Sequence, residues 1–215
     1  VLPMYSVEEG DTYAPYKIKA QFIAGALYPH NKDFIGPLVK GPILGGEVAF
    51  EWSMDGSKAW HHHFNKPDVG LAFQLLDLGN PEVTGQQMAL YPYINIPLYK
   101  NKTISFNTKL GCGLGFSTKP FDLENARKET REPEEMAEDY NFGIGGPVGV
   151  SVTASLNLDV KLHKNVYFTT DVSFSHFSTG NTYSPNYGLN LFNGYVGLKY
   201  LPVYKEKPAQ VDTIP

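Results

Sequence analysis

The 215-residue chain predicts an all-β protein, an eight-stranded antiparallel transmembrane β-barrel of outer-membrane type. Three observations carry that expectation: long stretches with a two-residue hydrophobic period, connections that alternate between short and long, and charges confined to one parity of the strands. No stretch approaches 18 consecutive apolar residues, so a spanning helix is excluded while a spanning barrel is not. A content of 42% hydrophobic and 13% aromatic residues fits one folded domain over 1–215.

The period is clearest at 148–162. Val148, Val150, Val152, Ala154, Leu156, Leu158, Val160 and Leu162 alternate with Gly149, Ser151, Thr153, Ser155, Asn157, Asp159 and Lys161. The run Ile104, Phe106, Thr108, Leu110, Cys112, Leu114, Phe116 repeats it, with Gly111, Gly113 and Gly115 on the other parity allowing close packing inside a narrow barrel. Soluble sandwiches use strands of about 5–6 residues, whereas these are twice as long. Segments of this kind fall at 16–27, 42–54, 69–78, 87–99, 103–117, 147–162, 165–178 and 189–201. Between them, 99–102 and 162–165 read as tight turns, and 28–41, 79–86, 118–146 and 179–188 as loops, the extracellular loop at about 118–146 being the longest. The link 55–68 is long on the turn side. Both chain ends then lie on the turn, periplasmic side.

Lys17, Lys19, Glu47, Glu51, Lys109, Asp159, Lys161, Asp171 and Lys199 all share the polar parity of their strands. A lipocalin-like barrel would have to bury them around an apolar ligand, so they belong in the lumen of a membrane barrel, as an ion-pair network without a pore. Trp52 and Tyr200 near one rim, and Phe116 and Phe192 near the other, fit interfacial aromatic belts.

Other functions are bounded by composition. A net charge of −4 gives no general attraction to nucleic acid, and a single cysteine, Cys112, excludes an internal disulfide and a cysteine zinc site. Cys112 shares the lipid-facing parity and reads as a small hydrophobe. The sequence opens at Val1 without a charged-then-apolar leader, which decides nothing about compartment. The histidine run 61–63 in Trp60-His-His-His-Phe64 reads as a polar connector rather than a metal site, because adjacent residues of a strand face opposite ways. Segment 121–140 holds eight acidic and three basic residues, a net of −5, and reads as a solvated, partly helical loop; its Arg127, Lys128 and Arg131 are candidates for lipid phosphates.

One stretch carries chemistry. In the seventh predicted strand Val172, Phe174, His176 and Ser178 share the apolar parity, so His176 and Ser178 project together from the lipid-facing wall at its outer-leaflet end. A polar pair there is costly unless it lies near the headgroups or has a function.

The run His176-Phe-Ser178, followed by Asn181, by Pro185-Asn186-Tyr-Gly188 and by an eighth strand, resembles the lipid A 3-O-deacylase family of acyloxyacyl-hydrolase-like outer-membrane esterases. The specific motif covers 176–190, and the eight-strand pattern extends the likeness along the chain. The resemblance implies an outer-membrane location, lipid A or lipopolysaccharide as partner, and no metal or cofactor. It implies Ser178 as nucleophile, His176 as general base and Asn186 as the oxyanion-holding asparagine. Thr179 stands where that family usually has asparagine. Asn190 stands fourteen residues after the histidine, where the family carries the glutamate that completes the triad. Asp171 cannot replace that acid because it has inward parity, whereas Glu138 or Asp139 could approach from the long loop. Two classes of function follow: an esterase removing an ester-linked acyl chain from lipid A, or a non-catalytic barrel with a structural or surface-binding role.

Overall fold

A computed structural model describes residues 12–13, 15–180 and 182–204. Eight antiparallel strands close into a barrel: β2 (Tyr16–Tyr28), β3 (Ile43–Ser53), β4 (Asp68–Asp77), β5 (Gln86–Lys100), β6 (Ile104–Ser117), β7 (Val148–His163), β8 (Val166–Ser178) and β9 (Leu189–Tyr200). Each pairs with its sequence neighbour, and β9 pairs back to β2 to close the wall. The expected strands agree with these to within two residues at every end. Two strands of two residues each, β1 (Thr12–Tyr13) and β10 (Val203–Tyr204), pair beyond the turn end and were not expected from the sequence.

Alternation sorts the residues as the pattern predicts. Val172, Phe174, Phe192, Val196, Leu198, Val150, Leu156 and Leu110 are exposed on the outside, and polar side chains fill the inside. Lumenal Lys109 meets Glu47 at 2.9 Å and Asp171 at 3.6 Å, and Lys199 meets Asp159 at 2.6 Å and Glu51 at 3.1 Å. Lys19 lies 3.8 Å from Asp171 and 3.9 Å from both Glu47 and Glu51. Tyr91 donates to Glu47, and Tyr93 to Glu51 at 2.9 Å. These ions tolerate burial because each has opposite charges around it; an isolated one would not. Room for the tyrosines comes from glycine: a Cβ on Gly111 would lie 2.6 Å from the Tyr91 ring.

The connections divide as expected. At the turn end Asn101 closes a tight turn, its side-chain oxygen accepting from the amides of Thr103 and Ile104 at 2.8 Å. The long link at that end contains helix α1 (Ala59–His63), and here the polar-connector reading needs correction. His61 is buried, with Nδ1 3.2 Å from the Gly56 amide and 3.2 Å from Asp55, so it pins the link; His62 and His63 are exposed. At the other end, 118–147 is more than a solvated loop. It includes α2 (Leu123–Ala126) and a 3-10 turn at Pro133–Met136, and Phe121, Ala126, Met136, Ala137 and Phe142 form a small core of their own with Phe34. Apolar side chains spaced through an acidic segment supply that core, while the carboxylates stay outside.

Candidate active site

Register places the chemistry. On β8, His176 is paired with Val152 of β7 on one side and Asn190 of β9 on the other, and Asn190 is paired in turn with Tyr28 of β2. His176, Asn190 and Tyr28 therefore form one row along the outer wall at the loop end. The row beneath is apolar: Phe174 packs on Phe192 with ring centroids 5.2 Å apart, and Phe192 meets Tyr28 edge-on at 5.8 Å. Aromatic side chains at that level mark the edge of a hydrocarbon band, where polar atoms can stand without full desolvation.

Nδ1 of His176 lies 2.7 Å from Oδ1 of Asn190. The opposite edge of the ring lies against Gly188, where a Cβ would come within 2.6 Å of Cε1 and 3.2 Å of Nε2. Gly188 also has φ of +76°, so glycine is required there for backbone and for space. Phe177 pairs with Leu189, which sets Gly188 at the continuation of the register opposite Ser178. The Cε1–Nε2 edge of His176 thus lies against the backbone position level with Ser178.

Ser178 is half-buried, and its Oγ accepts from the Gly180 amide at 3.3 Å. No hydrogen bond joins it to His176 in this structure. Catalytic hydrogen bonds are often long without substrate and tighten in its presence. Asn186 accepts from the Thr179 amide at 2.9 Å through Oδ1, leaving Nδ2 as its donating end. Asn181 lies outside the described residues.

The segment carrying Asn186 and Gly188 is tied to the long loop. Tyr187 and Gly188 donate their amides to the carbonyls of Phe142 (3.2 Å) and Gly143 (2.9 Å), and Phe34 stacks between Tyr187 and Phe142 at 4.7 and 4.9 Å. The three loop cations are elsewhere occupied or apart. Arg131 binds Glu129 (3.0 Å) and Asp139 (2.8 Å), which raises its already high pKa and lowers that of Glu129 through the same hydrogen bonds. Lys128 meets Glu124 at 3.3 Å, and Arg127 has no carboxylate partner among the described residues. No hydrogen bond or ion pair joins any of the three to His176, Ser178 or Asn190. A cavity of about 680 Å³ opens beside Lys119, Asp122, Arg131 and Tyr140, and none of the motif residues lines it. Among the described residues no group of three or more histidine, cysteine or acidic side chains could hold a metal ion.

Neither carboxylate expected to approach Asn190 does so: Glu138 pairs with Lys40 at 3.7 Å, and Asp139 with Arg131. The group behind Asn190 is His30, whose Nδ1 lies 3.1 Å from Nδ2 of Asn190 and whose Nε2 lies 3.1 Å from the Tyr187 carbonyl. Nothing in the sequence points to His30, because 160 residues separate it from Asn190 and only barrel closure brings them together.

Comparison with known proteins bears on the family and the fold. The family model described as lipid A 3-O-deacylase (PagL) matches residues 44–199, well over half the chain. The crystal structure of Neisserial surface protein A superposes with a TM-score of 0.52 at 6% identity, covering 88% of this chain and 98% of that one. That likeness speaks to the barrel fold. The crystal structure of the outer membrane enzyme PagL superposes with a TM-score of 0.49 at 11% identity, over 85% of this chain and 98% of that one. No curated protein sequence matches the chain.

Proposed function

Because the chain belongs to the lipid A 3-O-deacylase family and so to the bacterial outer membrane, we propose that it is a serine esterase releasing an ester-linked acyl chain from lipid A in the outer leaflet. The observation that carries this reading is the 2.7 Å contact of His176 Nδ1 with Asn190 on the outer wall, with the Cε1–Nε2 edge against Gly188, level with Ser178. A lipid A molecule sits beside the barrel with its esters near the acyl–sugar boundary. A nucleophile on the wall at the aromatic level meets such an ester without lifting the lipid from its leaflet.

The roles follow from the atoms. A serine hydroxyl is a weak nucleophile, so Ser178 Oγ attacks the acyl carbonyl as His176 Nε2 takes its proton. The tetrahedral oxyanion is held by a donor at the level of Asn186 Nδ2, the end of that amide not used on Thr179. His176 then gives its proton to the departing sugar oxygen, and water, deprotonated by the same nitrogen, releases the fatty acid from Ser178. Asn190 holds the ring but brings no negative charge to the imidazolium, so this chain works more slowly than a glutamate-bearing relative. The loops at 29–42, 78–85, 118–147 and 179–188 lie on the extracellular side, where Arg127, Lys128 and Arg131 would meet lipid phosphates, Arg127 most readily because it has no carboxylate partner among the described residues.

The neutral Asn190 also supports a second reading, a barrel that has kept the site but serves a structural or surface-binding role. Mass spectrometry of lipid A from cells expressing the parent and Ser178→Ala separates the two. The esterase gives a loss of one acyl chain with the parent and none with the variant; matching spectra leave the non-catalytic role.

A further inference from the structure

Asparagine at the third position creates a problem that glutamate does not have. Either oxygen of a carboxylate accepts from a histidine N–H, so its orientation is immaterial. An asparagine amide has one accepting and one donating end. With Oδ1 toward His176, Nδ1 of the ring carries the proton and Nε2 is basic. With the amide reversed, Nδ2 donates to Nδ1, the ring proton moves to Nε2, and the base is lost.

The contacts behind Asn190 decide between these. The Tyr187 carbonyl can only accept, and it lies 3.1 Å from Nε2 of His30, so that nitrogen bears the proton of the neutral ring. Nδ1 of His30 then carries a lone pair, 3.1 Å from Asn190 Nδ2, which can only donate. The accepting end of Asn190 is thereby turned to His176, at 2.7 Å. Nδ1 of His30 also lies 3.3 Å from the Tyr28 carbonyl. Putting the His30 proton there would gain that one longer bond while opposing donor to donor at Asn190 and lone pair to lone pair at Tyr187. The first arrangement satisfies three hydrogen bonds in series; the second keeps two, His30 Nδ1 to Tyr28 and His176 Nδ1 to Asn190, and reversing the amide to accept from His30 would still leave the Tyr187 carbonyl facing a lone pair.

We propose that His30 is a positioning residue: by accepting from Asn190 it fixes the amide orientation and, through it, the proton on Nδ1 of His176. The proposal rests on His176 being the base of the esterase, and it accounts for how this chain keeps a usable base with asparagine in place of the acid. Backbone fixes the far end of the series, since Tyr187 is held by Phe142 and stacked on Phe34.

The test reads the ring itself. In micelles, at a pH where the ring is neutral, the ¹⁵N resonances of His176 are identified by their absence in His176→Gln and compared in the parent, His30→Ala and His30→Asn. The parent should hold its proton on Nδ1. His30→Ala should lose that preference, and His30→Asn should keep it, because asparagine Oδ1 lies as many bonds from Cα as the ring Nδ1 and also accepts. Deacylation of lipopolysaccharide should fall about 10–100-fold in kcat for His30→Ala, by analogy with the loss of an outer partner that orients a metal-bound histidine. The same change in an Asn190→Glu background should cost little. An unchanged His176 tautomer in His30→Ala overturns the proposal, as does an equal fractional loss in both backgrounds. A parent that cleaves no lipid A overturns the esterase reading, while the tautomer still decides the role of His30.

Discussion

Strand β8 carries two polar sites five residues apart that are built in opposite ways. Asp171 faces the lumen, where Asn157 donates to it at 2.7 Å and Gln21 at 2.9 Å, with Lys109 and Lys19 at 3.6 and 3.8 Å. His176 faces the outer wall and is held by a single 2.7 Å hydrogen bond. The lumenal site is redundant, so its groups are fixed and chemically quiet. The outer site is a single file in which each member depends on the next, and its last atom, Nε2, is left with no hydrogen-bond partner among the described residues. Polarity inside the barrel serves stability; polarity on the wall, in the function we propose, serves reactivity.

Substitutions can break that contrast from either side. The largest effect is expected from His176→Ala, which should cost about 10⁴-fold or more in deacylation, as for the loss of a triad member, while the barrel keeps its folded electrophoretic mobility. A loss of folding along with activity would show that the outer row is structural after all. Asn190→Glu should raise the deacylation rate by up to about 10²–10⁴-fold, the worth of a positioned acid–base group, measured as initial rates on purified lipopolysaccharide. No rise would mean that the ring already has all the help it can use.

Lumenal changes should do the reverse. Lys109→Met leaves Glu47 and Asp171 short of a cation at 2.9 and 3.6 Å, and should lower unfolding stability by about 3–5 kcal/mol in denaturant titrations, with deacylation by the folded fraction unchanged. The smallest effect concerns the wall away from the site. Leu156→Arg, near the middle of β7 and exposed, should cost about 2–4 kcal/mol of insertion into bilayers, whereas Thr153→Ser on the lumenal parity should insert normally because it keeps the hydroxyl paired with Ser175 at 3.0 Å. Equal insertion of the two would contradict the assignment of faces.

The contrast also explains what could be read from the sequence. A period of two states which face each residue takes, so the eight strands, the lumenal charges and the outward placement of His176 and Ser178 were all legible. The pairing of His176 with Asn190 followed from the fourteen-residue spacing in the family resemblance. Beyond the short β1–β10 pair, three features were not legible. The small core around Phe121 and Phe142 has no period, because it belongs to irregular chain. His61 was hidden among histidines that periodicity cannot rank, and its burial depends on the fold of the link. His30 lies in the first loop and acts in the last strand pair, and no local pattern reports which residue closure will bring beside Asn190.

Closure has a further consequence, for when the molecule becomes active. All barrel pairings but one join neighbours in sequence; β2 with β9 joins the first to the last, and the contact of His30 with Asn190 crosses that seam over 160 residues. An open sheet, however much of it has formed, has β8 and β9 side by side but nothing on the far side of Asn190 to choose its orientation. On the proposed reading the ordered base appears when the cylinder shuts, and a chain still in transit to the membrane, or stalled as an unclosed sheet, cuts acyl esters at best at the reduced rate expected of His30→Ala.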